Sequence, residues 1–207
     1  MNKIWDSFLD VVILPPLEMR DYAISLSAKL HRHGTPWMLG LEERRPHLSL
    51  FHFPISPKSG GENVIAVLSR LMRGGTLHLT GISSPRHGAV FLNTDRPAWL
   101  VNAAEETSRT LWKCGIAERD PCFMERWQQM ELSPRMEKNI AKWGSPLMSE
   151  DFLPHFTLGV LGNRAQAAEI VASLPFRPMS WTVDRFHVVQ VGDGWTAGDV
   201  LGEGLFL

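Results

Sequence analysis

Cysteine is scarce in this chain of 207 residues: there are two, Cys114 and Cys122, in a stretch with Gly and Pro. Neither stands at ligand spacing to paired histidines, so they do not make a zinc site, and reduced thiols in a cytosolic protein are expected. No apolar run approaches the length needed to span a bilayer, so no membrane association is expected. The first residues lack the layout of a signal peptide, because Asp6 and Asp10 interrupt any apolar core, and a cytoplasmic location is expected. An excess of positive charge is also missing. Lys and Arg total 21 against 22 Asp and Glu, a formal net charge of −1. A strong, non-specific grip on long nucleic acid needs clustered cations and is not expected. Short anionic substrates stay open, since a local basic pocket can hide in a neutral average. Apolar content of 44% with 21% charged residues describes a folded globular chain. Tryptophan, at 8, is plentiful; most of these rings belong in a core, with one or two available as a stacking platform for bases.

Against this background one pattern occurs twice: Pro46-His47-Leu48-Ser49-Leu50 and Pro154-His155-Phe156-Thr157-Leu158. His155 follows His47 by 108 positions. A single copy would carry little weight among 8 histidines, and His78-Leu79-Thr80 already gives a partial match without the Pro. Two full copies are hard to obtain by chance. On a β-strand, side chains alternate faces, which puts His47 with Ser49 and His155 with Thr157. Leu48, Leu50, Phe156 and Leu158 then anchor the opposite faces in a core. Two such strands side by side would present two imidazoles and two hydroxyls to one cleft.

Along the chain, Phe8–Leu14 reads as a buried strand ended by Pro15-Pro16. Residues 18–33 follow as a helix on the spacing of Tyr22, Leu26 and Leu30, with His31 and His33 as helix-terminus residues. The first His strand runs to Phe53 and stops at Pro54. Residues 62–72 carry a helical stripe, and 76–82 with 88–93 read as a paired hairpin. Pro97 opens a helix through Leu111 and Trp112. The segment 113–149 reads as an insertion with one or two short helices over part of a surface or cleft. After the second His strand come a helix over 166–174, one long strand over 179–191, a turn at Gly192-Asp193-Gly194 and a closing strand over 200–207. The expectation is a single bilobal α+β domain over 1–207, two lobes whose sheets meet at a groove.

The paired motifs resemble those of the 2H phosphoesterase superfamily, which includes LigT-like 2′-5′ RNA ligases and cyclic nucleotide phosphodiesterases. Leu77–Gly81 with Ala89–Leu92, and Phe186–Val191 with Leu205–Leu207, look like that family's strands after the first motif and at the chain end. Two departures stand out: Phe51-His52-Phe53-Pro54 where an aliphatic or aromatic run to Leu-Gly is usual, and Gly159-Val160 where an Arg often follows. Both lie outside the His and hydroxyl positions. The resemblance implies two antiparallel-rich sheets flanking a central cleft, with helices outside.

It also implies a metal-independent phosphodiesterase acting on 2′,3′-cyclic or 2′-5′-linked nucleotide or RNA phosphodiesters, without a cofactor and as a monomer. One of His47 and His155 would be general base on water and the other general acid to the departing ribose oxygen, the assignment left open. Ser49 and Thr157 would bind the phosphate. Phe51, placed on the His47 face by alternation, is a candidate to stack on a base or to pack at the strand end. Arg164, opening the next helix, is a candidate phosphate ligand or a solvated surface residue. His52 is expected on the core face as a packed histidine, and His78 and His187 as structural ones. The alternative reading is a nucleotide- or RNA-end-binding module that does not turn its ligand over.

Overall fold

The computed structural model describes residues 8–54, 61–70, 72–85, 88–113, 132–192 and 196–207. Both cysteines, Pro57, Pro121, Trp127, the start of the chain and most of the turn expected at 192–194 lie outside the described residues.

Two four-stranded antiparallel sheets carry the architecture. The first has the order β2-β1-β7-β8, from β1 (Phe8–Ile13), β2 (Leu48–Pro54), β7 (Arg185–Gly192) and β8 (Thr196–Leu205). The second has the order β5-β4-β3-β6, from β3 (Gly75–Ser83), β4 (Ala89–Thr94), β5 (His155–Val160) and β6 (Ser180–Val183). Each sheet thus places its motif strand, β2 or β5, at an edge, and these two edges approach each other. Pro46 and Pro154 stand just before these strands and Pro54 is the last residue of β2, places where a missing N–H is tolerated.

Helices cover the outer faces. Helix α1 (Leu17–His31) lies against β5, and its buried residues Met19, Ala23, Leu26, Ser27 and Leu30 include two of the three that the spacing picks out, with Tyr22 half-buried beside them. Helices α2 (Gly61–Leu68) and α3 (Ala98–Ser108) pack on the first sheet, α2 on β7 and β8 and α3 on β2. A π-helical turn over Arg109–Lys113 continues α3 and buries Leu111 and Trp112. Helix α5 (Arg164–Ser173) covers β3 and β4, and Asn163 caps it by accepting from Ala165 N and Gln166 N.

The described part of the expected insertion has a clear mechanical role. Helix α4 (Pro134–Trp143) starts on the cap Ser133 and ends at Gly144, whose φ of +76° suits a residue without Cβ. From α4, Asn139 donates to the carbonyls of Pro146 and Met148, and Arg135 pairs with Glu150 and Asp151. These bonds pin the chain leading into β5 and its motif.

One expectation needs correction. Residues 179–191 do not form one strand: the chain breaks at Asp184, β6 pairing with β3 and β7 with β1. The exposed Asp184 is the point where the chain crosses between sheets, and its carbonyl accepts from Phe206 N at 2.9 Å. Among the described residues, no helix is long and apolar enough to cross a membrane.

Candidate active site

Both histidines are held in the same way. His47 Nδ1 lies 2.8 Å from the Arg45 carbonyl oxygen, and His155 Nδ1 lies 2.6 Å from that of Leu153. A carbonyl only accepts, so each Nδ1 carries the proton and each Nε2 keeps a lone pair for other work. The repeated Pro contributes here. Residues 45 and 153 each precede a proline, which favours extended backbone, and the proline φ is fixed. The two restraints aim each carbonyl at the imidazole two residues on. His155 is steadied further by Phe91 on the neighbouring strand, with ring centroids 3.7 Å apart and planes 22° from parallel.

Burial shapes the titration of the pair. His47 is held below its ordinary pKa by burial, against the opposing pull of the Arg45 carbonyl. Burial takes His155 down to about 4, the Leu153 carbonyl opposing and the charge of His47 adding to the fall. The two imidazoles therefore sense each other across the junction of the sheets.

The strands depart from simple alternation at one matching place. On β2, Val11 pairs with Phe51 and Val12 with Ser49, leaving Leu50 as an extra residue. On β5, Val90 pairs with Gly159 and Phe91 with Thr157, leaving Leu158 extra. Both bulges sit at the closing Leu of the motif, so the internal repeat extends to backbone geometry. A bulge shifts the facing of every later residue. Phe51 accordingly joins the core at 3% exposure rather than the His47 face, and His52 turns to the site instead of the core. Of the two expectations for Phe51, its burial fits packing at the strand end and not stacking on a base from the His47 face.

His52 stands 3.1 Å, through Nε2, from Oδ2 of Asp10, a residue 1% exposed on β1. The same Oδ2 accepts from Ser49 Oγ at 2.6 Å. In the sequence Asp10 figures only as an interruption of an apolar run. A carboxylate in the middle of an otherwise apolar buried strand is the available signal, since burial of a charge demands partners. Counting from the bulges, Asp10 and His52 correspond to Ala89 and Val160 of the second copy, so this carboxylate–histidine pair belongs to the first motif alone. Thr157 Oγ1 has no partner among the described residues.

The remaining candidates lie elsewhere. Arg164 opens α5, and its side chain lies outside the described residues. His31 Nδ1 contacts the Thr35 carbonyl at 2.9 Å just past α1. His187 is 9% exposed and lies 3.6 Å from Glu203. Among the described residues no three His, Cys, Asp or Glu side chains stand together as a metal-ligand set.

Comparison with known proteins bears on the fold and the family. No curated protein matches at the level of sequence. The fold is similar to that of E. coli LigT in apo form, with a TM-score of 0.54, 17% identity and 97% of each chain covered. It is also similar to E. coli LigT complexed with 3′-AMP, with a TM-score of 0.54, 20% identity, and 97% and 98% of the two chains covered. TT0787 of Thermus thermophilus gives a TM-score of 0.53 at 16% identity, with 96% and 97% covered. The model of the 2′-5′ RNA ligase superfamily matches residues 15–195, and the chain belongs to that superfamily of 2H phosphoesterases.

Proposed function

We propose that this protein is a metal-independent phosphodiesterase of 2′,3′-cyclic or 2′-5′-linked nucleotide and RNA phosphodiesters, with His47 and His155 as its acid and base. The observation that carries the reading is the matched pair of imidazoles, each anchored through Nδ1 to a carbonyl so that Nε2 is the working nitrogen. One Nε2 takes a proton from the attacking water while the other delivers one to the departing ribose oxygen. Both rings are held low by burial, so the site awaits a charge. A bound phosphodiester supplies it: its anion favours an imidazolium and draws a proton onto one ring. Thr157 and Ser49, on the faces of the two histidines, line the part of the site that the phosphodiester occupies. That a LigT structure holds 3′-AMP supports a ribonucleotide phosphate as the ligand class.

Hydrolysis of a 2′,3′-cyclic mononucleotide tests the proposal. The His47→Ala and His155→Ala proteins are each expected to lose about 10²-fold or more in rate, the scale of a lost acid or base. EDTA is expected to leave the wild-type rate unchanged. A chelator-sensitive rate would remove the metal-free mechanism, and nucleotide binding without turnover would leave a binding module instead.

A further inference from the structure

The two motif hydroxyls are chemically unequal, although the sequence writes them as equivalents. Ser49 Oγ donates a hydrogen bond to the buried Asp10 carboxylate at 2.6 Å, and the same carboxylate oxygen faces His52 Nε2 at 3.1 Å. A hydroxyl has one proton to donate. With that proton directed at Asp10, Ser49 offers only lone pairs to the site. Phosphoryl oxygens are acceptors too, so Ser49 in this state repels them, and the buried carboxylate behind it adds negative charge. Among the described residues Thr157 has no such neighbour, because Ala89 and Val160 occupy the positions that match Asp10 and His52.

Resting on the phosphodiesterase reading, we infer that Asp10 is a positioning residue that makes Ser49 an acceptor, so that the first motif reads a ribose hydroxyl while Thr157 alone donates to the phosphoryl group. The preferred ligand is then a ribonucleotide phosphate with a free hydroxyl beside the phosphate, as hydrolysis of a 2′,3′-cyclic phosphate leaves. The phosphate lies toward the β5 motif and the vicinal hydroxyl donates to Ser49 Oγ. An Asp at position 10 serves this purpose where an apolar residue would not. The carboxylate accepts and cannot donate, so it fixes the direction of the Ser49 hydroxyl.

Equilibrium binding of 3′-AMP, 2′-deoxy-3′-AMP and inorganic phosphate to the full chain tests the inference without turnover. The wild-type protein is expected to prefer 3′-AMP over its deoxy analogue by about 5- to 10-fold, the scale of one hydrogen bond. In Ser49→Ala that ratio falls to near one, while phosphate affinity is retained. Thr157→Ala weakens all three ligands and keeps the ratio. Asp10→Asn is the sharper variant: its amide can donate to Ser49 Oγ, freeing the hydroxyl proton for the site. Phosphate binding should then tighten several-fold as the ribose preference disappears, a gain that damage to the fold would not produce. In Asp10→Asn/Ser49→Ala that gain should be smaller than in Asp10→Asn alone. An equal gain with and without Ser49 would mean that only the carboxylate's charge mattered, and would overturn the inference. So would a ribose preference that survives Ser49→Ala. Equal binding of 3′-AMP and its deoxy analogue overturns the division of labour and leaves the phosphodiesterase standing. Failure to bind 3′-AMP overturns the inference, and hydrolysis of a 2′,3′-cyclic mononucleotide by the same protein then shows that the phosphodiesterase reading stands.

Discussion

A histidine becomes an acid or a base through what its other nitrogen touches. In this protein the partner of each Nδ1 is the carbonyl two residues upstream, and the proline between helps to set its direction. That device is visible in the sequence as the Pro of a repeated pentapeptide, and alternation alone names His47, Ser49, His155 and Thr157. It does not name Asp10, whose role appears only when β1 is laid beside β2 and its register puts it opposite His52. The low pKa values have a kinetic consequence. In the free enzyme both imidazoles titrate below 6.5, His155 at about 4, so the form with one proton on the pair is populated in the acid range. The rate constant kcat/KM reports the free enzyme and should therefore pass through a maximum below pH 6.5 and decline towards pH 8. The bound anion raises both pKa values, so the profile of kcat should lie at higher pH than that of kcat/KM. Measuring both profiles on a cyclic nucleotide checks this, and a kcat/KM that rises from pH 6 to 8 would contradict it.

Elements are legible where periodicity is unbroken. The stripe of α1, the hairpin of β3 and β4 and the first strand fall close to where spacing and punctuation predict them. Failures occur where backbone geometry changes without a change in residue type. Leu50 reads as an ordinary alternating strand residue, yet it is the bulge that sends Phe51 into the core and His52 to the site. Val183-Asp184-Arg185 likewise continues a strand pattern while the chain passes from one sheet to the other. Side-chain pattern reports burial, and burial continues through both places. The bulge yields a direct test. Phe51→Ala removes a ring from a packed core and should destabilise the protein by about 3–5 kcal/mol. Because the ring faces away from the site, preference between purine and pyrimidine cyclic nucleotides should not change. Chemical denaturation and a substrate panel measure the two effects, and a shifted base preference at unchanged stability would put Phe51 back at the site.

At the scale of the molecule, the two sheets are built to the same plan around their motifs, and their edges bring the histidines together. In the sequence the motifs alone imply two related lobes; strand order and the matched bulges carry that relation into the backbone. The arrangement keeps several imidazoles neutral inside the fold, which couples stability to pH. Burial lowers His47 and His155, and lowers His187 as well, where Glu203 opposes the fall and Arg185, Arg20 and Arg45 deepen it. In the unfolded chain these groups protonate at about 6.5, their ordinary value. Between that value and about 4, where folded His155 takes its proton, the unfolded state binds more protons than the folded one. Stability must therefore rise with pH across this window and fall as the solution is acidified through it. The lowered carboxylate Asp184 acts below its ordinary 3.8, outside this window. The melting temperature is expected to drop steadily from pH 7 to pH 5, and His155→Gln should flatten that slope by removing one of the three contributions. A melting temperature level from pH 7 to pH 5 would show that these imidazoles take up protons as readily in the folded protein as in the unfolded chain.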